Sequence, residues 1–134
     1  MNIGGDKDLK ALVRSMRPTL MLETYAFVTV PSGRPTPANL SPLASFKEPE
    51  GWSLLVTERE ASLSGLPQSF WCRGIQLGIQ PSLYAVGLLA AISERLARAG
   101  ISINIISAYH RDYVFVPIAR AEESLNILRK MAAE

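Results

Sequence analysis

The chain has 134 residues, of which 48% are hydrophobic and 19% charged, with a formal net charge of +2. That composition supplies a buried core and excludes a disordered chain, and the charge is too small and too scattered for a nucleic-acid-binding surface. The lone cysteine, Cys72, excludes an internal disulfide and argues against a cysteine-based metal site, and the single histidine leaves metal catalysis without a ligand set.

From the N-terminus, no basic region followed by an apolar run marks a signal peptide, so a soluble cytoplasmic protein is expected. The longest apolar stretch, around Tyr84 to Ile92, falls well short of the roughly 20 residues that a membrane span requires. Asp6 can cap a first helix on which Leu9, Leu12, Val13 and Met16 share one face, with Pro18 as its stop. Leu22 to Val30 is rich in β-branched and aromatic residues and reads as a strand buried on both faces. Pro31 to Pro42 carries four prolines and a glycine and reads as a long loop. Leu43 to Lys47 and Ser53 to Thr57 form a predicted hairpin around Glu48-Pro49-Glu50-Gly51. Thr57 and Glu60 have capping-box spacing ahead of a short helix that Gly65 would end.

In the second half, Trp71, Arg73, Ile75, Leu77 and Ile79 alternate with small or polar residues, the pattern of a strand. Pro81-Ser82 then opens a helix with an apolar stripe at Ala85, Leu89, Ile92, Leu96 and Ala99, and Gly100 ends it. Gly87 falls inside that predicted helix, at a cost of about 1 kcal/mol relative to alanine, and so invites a packing or functional reason. Ile101 to Tyr109 reads as a strand, His110-Arg111-Asp112 as a solvated tight turn, and Tyr113 to Val116 as the returning strand. A last helix runs from about Ala119 to Ala132.

Strand, helix, strand, strand, helix is the split βαβ order of a ferredoxin-like fold lacking its last strand. The first half reads as the same fold lacking its first strand. The expected class is therefore α+β, with βαββαβ lobes over residues 1–66 and 67–134 that share or exchange strands so that neither sheet is left with a bare edge.

The segment Ile75-Gln76-Leu77, Ser82 to Leu88, and Leu96-Ala97-Arg98-Ala99-Gly100-Ile101 through Phe115-Val116-Pro117 resembles an ACT domain. The resemblance rests on a helix ending in Ala-Gly-Ile, a strand, a turn, and a strand ending in Phe-Val-Pro. The whole chain resembles small stand-alone bacterial proteins of two ACT-like lobes, similar in turn to the tandem-ACT arginine sensors. The resemblance implies a regulatory protein that binds a small metabolite, an amino acid foremost, without a cofactor or catalysis. It places the ligand against Gln80, Pro81, Ser82, Leu83, Val86, Gly87, Ile103, Asn104, Ile105 and Ile106. The physics agrees in part: free N–H groups at a helix start suit a carboxylate, and Asn104 can hydrogen-bond an amine or a carboxylate. Asp112 is a further candidate, for a cationic ligand group.

Each of these has a plainer reading, as cap, packing glycine, polar strand residue or turn residue. Cys72 and His110 make a nucleophile and base only if something orients them, and no such motif accompanies them. The alternative function is a ligand-free interaction or oligomerisation module. Gly74 and Gly78 leave room for a partner backbone, and with the missing edge strand they point to a homodimer.

Overall fold

A computed structural model describes residues 6–78 and 86–134, apart from the side chains of residues 6–8. The elements in chain order are α1 (Asp6–Arg14), β1 (Thr19–Pro31), β2 (Ala44–Glu48), β3 (Gly51–Thr57), α2 (Glu58–Ser64), β4 (Gln68–Gln76), α3 (Leu88–Arg98), β5 (Asn104–Ser107), β6 (Asp112–Pro117) and α4 (Ala121–Ala133), with one 3-10 turn at Ile118–Arg120. They form two compact units that are interleaved along the chain. One is Leu22–Cys72; the other joins Met1–Met21 to Arg73–Glu134. β1 and β4 therefore contribute residues to both.

Within Leu22–Cys72 the strand order is β2-β3-β1-β4, the 2-3-1-4 order of a ferredoxin-like sheet. All four strand positions are filled, so this unit does not lack a first strand, as the sequence reading expected. What it lacks is the helix after the first strand, where the proline-rich stretch from Ser32 to Leu43 runs instead. Three prolines there remove backbone donors that a helix needs. β1 and β3 pair antiparallel with Val28 opposite Leu54 and Ala26 opposite Val56, and β2 pairs outside β3. Ala26, Val28, Val30, Leu54 and Val56 pack with Ala61 of α2 and with Leu40 and Leu66. β1 is thus not buried on both faces: it alternates through Val30, and Leu22 is 92% exposed.

α2 follows the sequence reading closely. The Thr57 hydroxyl accepts from the Glu60 N–H at 3.2 Å, and the Glu60 carboxylate accepts from the Thr57 N–H at 3.2 Å. Gly65 closes the helix in the left-handed region at φ 71°. Such a cap stabilises a helix by about 1 kcal/mol. Glu60 also accepts from the Ser41 N–H at 2.8 Å, which pins the end of the long loop to the helix start.

In the second unit the order is β1-β4-β6-β5. β4, β5 and β6 are the first, second and third strands of the ferredoxin pattern. The fourth position, beside β4, is taken by the first residues of β1. This is the form that the expected strand sharing takes. The Arg73 Nε–H donates to the Met21 carbonyl at 2.7 Å across this pair. Ile75, Leu77, Val114 and Val116 pack against Leu88, Ile92 and Leu96 of α3 and Leu125, Leu128 and Met131 of α4. Leu12 and Met16 join the same core, so α1 packs with the C-terminal helices.

Several local expectations shift. α1 ends at Arg14, four residues before Pro18, and Arg17 takes φ 48°. A proline disfavours the right-handed helical region for the residue before it, so the chain turns at Arg17 rather than continuing. α3 begins at Leu88, and Gly87 is its N-cap at φ 102°, not a residue inside the helix. A Cβ at Gly87 would stand 3.3 Å from Leu9 Cδ1. The buried stripe of α3 is Leu88, Ile92 and Leu96, whereas Leu89 is exposed and Ala99 is the C-cap. The strand after Gly100 is confined to Asn104–Ser107. Asp112 does not lie in a solvated turn: it is fully buried and opens β6 opposite Ser107. Gly74 receives its own chain rather than a partner backbone, since a Cβ there would stand 2.5 Å from Met21 Sδ and 2.8 Å from Phe115 Cε1. At Gly78 the approaching carbonyls are those of Met16 and Ser15.

Candidate functional site

The turn after α1 and the end of β4 enclose a cavity of about 500 Å³. Arg17 and Thr19 enter from the turn, Gln76 and Gly78 from the strand end, and Arg111 from the β5–β6 connection. The walls are hydrogen-bonded into place. The Leu77 N–H donates to the Asp112 carbonyl at 3.0 Å, and the Gly78 N–H donates to the Met16 carbonyl. The Ser15 hydroxyl donates to the Leu12 carbonyl at 2.9 Å, which tightens the turn below Arg17. The Ala108 N–H donates to the Arg111 carbonyl at 3.0 Å, which fixes the connection that carries Arg111.

Among the described residues, two guanidinium groups and no carboxylate line this cavity. Among the described residues neither Arg17 nor Arg111 forms an ion pair, unlike Arg95, Arg98 and Arg120. A guanidinium stays charged at any physiological pH and matches a carboxylate or phosphate with paired N–H donors. The Gln76 amide adds a donor and an acceptor. The chemistry offered is anion binding with polar side contacts. Arg17 holds a left-handed backbone angle that only glycine adopts without cost, and such strain gathers at functional positions.

The residues nominated by the ACT resemblance divide. Gln80, Pro81, Ser82 and Leu83 lie outside the described residues. The cavity's Gln76, Leu77 and Gly78 lie a few residues before them in the sequence. Val86 is exposed, and Gly87 caps α3 with no side-chain partner for the helix start. Ile103 and Ile105 pack against the hydrophobic core. Asn104 is exposed opposite Phe115, and Ile106 is half-buried opposite Tyr113. Alternation along the strand puts the side chains of Ile103 and Ile105 on one face and those of Asn104 and Ile106 on the other. Sequence reasoning passed over Arg17, Thr19 and Gln76 as site residues. The one available sign was Arg17-Pro18 directly after a helix. Arg111 was noticed but assigned to a turn.

The cysteine and histidine offer no catalytic pair. Cys72 is fully buried, and burial pushes its thiol up to about 12, away from the reactive thiolate. His110 is exposed and stacks at a tilt on Tyr109, ring centres 4.9 Å apart. Among the described residues, no three His, Cys, Asp or Glu side chains gather as a metal site requires. No described helix is long and apolar enough to cross a membrane.

Comparison with known proteins decides the family. Two ACT domain family profiles match in tandem, over residues 4–73 and 72–130. The chain belongs to the ACT domain family. A Vibrio cholerae protein of unknown function, described as a possible transport protein, is 38% identical, with 96% of this chain and 99% of that one covered and a TM-score of 0.83. A protein from Agrobacterium tumefaciens shares the fold at 12% identity and a TM-score of 0.72, covering 86% of this chain and 87% of its own. So does the ligand-free regulatory subunit of aspartate kinase from Thermus thermophilus, at 13% identity and 0.62, covering 87% of this chain and 97% of its own. No protein of curated function matches. The two units of this ACT protein are thus lobes of one fold type, and the ferredoxin-like class expected from its sequence stands.

Proposed function

We propose that this ACT protein is a non-catalytic regulator that binds a small carboxylate metabolite, foremost an amino acid, in the cavity between Arg17 and Arg111. The observation that carries the reading is a cavity of about 500 Å³ lined by two arginines that have no carboxylate partner among the described residues. That volume lies within the range of small-molecule pockets. Gln76, Leu77 and Gly78 of this cavity lie next in sequence to Gln80–Leu83, which the ACT resemblance nominates. A ligand there touches the turn that leads into β1, the connection before β6 and the end of β4. Differential affinity for two arrangements of these segments would carry the signal.

The test is a thermal-shift screen of the protein against the twenty amino acids, repeated on Arg17→Gln and Arg111→Gln. A ligand at about 100 times its Kd adds roughly 2.7 kcal/mol to the native state. The reading requires a shift for one or a few amino acids in the wild type that both variants lose. Silence across the set at millimolar concentration, or a shift that survives in both variants, would reject it.

The same reading has the protein act in the cytoplasm as a homodimer. Phe46 supports self-association: it is 71% exposed on β2, the strand that ends its sheet. Sedimentation velocity at micromolar concentration checks this, and a monomer there would count against it.

A further inference from the structure

A second cavity, of about 340 Å³, lies among α1, α3 and α4, away from the arginines of the proposed amino-acid site. Its apolar surface comes from Val13, Ala91 and Met131. Among the described residues, Lys10, Arg14 and Arg95 bring three cationic groups to it, against one carboxylate, Glu134. That carboxylate is held by Arg95 through two nearly parallel hydrogen bonds, of 2.9 and 2.8 Å. Lys10 and Arg14 form no ion pair among the described residues. The cavity therefore combines an apolar surface, an excess of positive charge and a fork already engaged by a carboxylate on a short aliphatic stem.

We propose that this cavity is a second binding site, for a small amphipathic carboxylate that takes the place of Glu134 on Arg95. The Glu134 side chain shows what the guanidinium accepts, in geometry as well as charge. Its hold is weak, since the pair is largely solvent-exposed and such pairs contribute little. A ligand that presents the same carboxylate and also covers Val13, Ala91 and Met131 gains apolar burial that Glu134 does not. Lys10 and Arg14 raise the local concentration of anions at the mouth. The volume falls at the lower end of ligand pockets and suits a chain or ring of modest size.

The probe is octanoate, titrated calorimetrically into the full chain, with 1-octanol as the uncharged match. Octanoate is expected to bind and octanol to bind at least about tenfold more weakly, the difference one charged hydrogen-bonding pair makes. Arg95→Gln should lose about tenfold in octanoate affinity on the same ground. Glu134→Gln should gain up to about fivefold, the upper end of what an exposed ion pair contributes once it no longer competes. The opposite signs matter, because a merely structural bridge would make the two variants behave alike. Arg111→Gln reports on octanoate that enters the other cavity instead: loss of octanoate binding in that variant with Arg95→Gln silent would overturn the proposal, whatever amino acids do there. Equal binding of octanoate and octanol, equal effects of the Arg95 and Glu134 variants, or no octanoate binding at millimolar concentration would overturn the proposal.

Discussion

Arg17 sits at φ 48°, and the cost of that angle can be separated from the value of its charge. A residue with a Cβ pays about 1–2 kcal/mol in the left-handed region. Glycine does not, although it gives back about 0.4–1 kcal/mol through the greater freedom of the unfolded chain. Arg17→Ala keeps the angle and its cost, whereas Arg17→Gly relieves it. Both remove the guanidinium from the cavity. The glycine variant should therefore be more stable than the alanine variant by about 0.5–1 kcal/mol. In urea, with a slope of about 1–3 kcal/mol/M, this is a midpoint difference of roughly 0.2–1 M. Both variants should respond equally weakly to any amino acid that stabilises the wild type. Equal midpoints, or a less stable glycine variant, would refute the claim that Arg17 holds a strained angle in solution. A ligand response retained in both would remove Arg17 from the site.

Glu60 is stabilised as a carboxylate by the N–H groups of Ser41 and Thr57, chiefly that of Ser41, and its pKa lies below the ordinary glutamate value. Its contribution is complete above that ordinary value and is lost as pH falls through the lowered one, so Glu60→Gln should flatten the acid limb of stability below the ordinary glutamate value in urea melts. Gly74→Ala places a methyl against Phe115, which is buried and cannot swing away, and Met21; a loss of about 1–3 kcal/mol in chemical denaturation is expected. Cys72 should resist alkylation by iodoacetamide at pH 8 in the native protein and react only on unfolding; reaction at the rate of a free thiol would show that the strand opens.

What was legible in the sequence was local. Thr57, Glu60 and Gly65 specify α2 because cap, box and terminator lie within one short segment and answer to one another. Gly87 was misplaced because Pro81-Ser82 reads as a helix start, and a stripe through Leu89, Ile92 and Leu96 has helical spacing just as one through Leu88, Ile92 and Leu96 does. The left-handed angle at Gly87 and its contact with Leu9 select the stripe through Leu88, and Leu9 is far away in sequence. Phe70 likewise takes φ 55° within β4 with no glycine to mark it. The cavity of Arg17, Gln76 and Arg111 was hidden for the same reason: its three walls lie dozens of residues apart, and only the return of β1 to the side of β4 assembles them. The anticipation of shared strands came from counting strands against a fold, not from any motif.

The interleaving of the two units also sets an order of assembly. The unit Leu22–Cys72 is continuous and lies early in the chain, so it can close as soon as it leaves the ribosome, while the rest is still being made. The other unit must join Met1–Met21 to a partner that begins at Arg73 and is finished only with α4. If the intervening segment were loose, bringing these ends together would carry the entropy of closing a loop of about fifty residues. Folding of that segment first would lower this cost, so mutations that slow the folding of Leu22–Cys72 should also delay closure of the other unit.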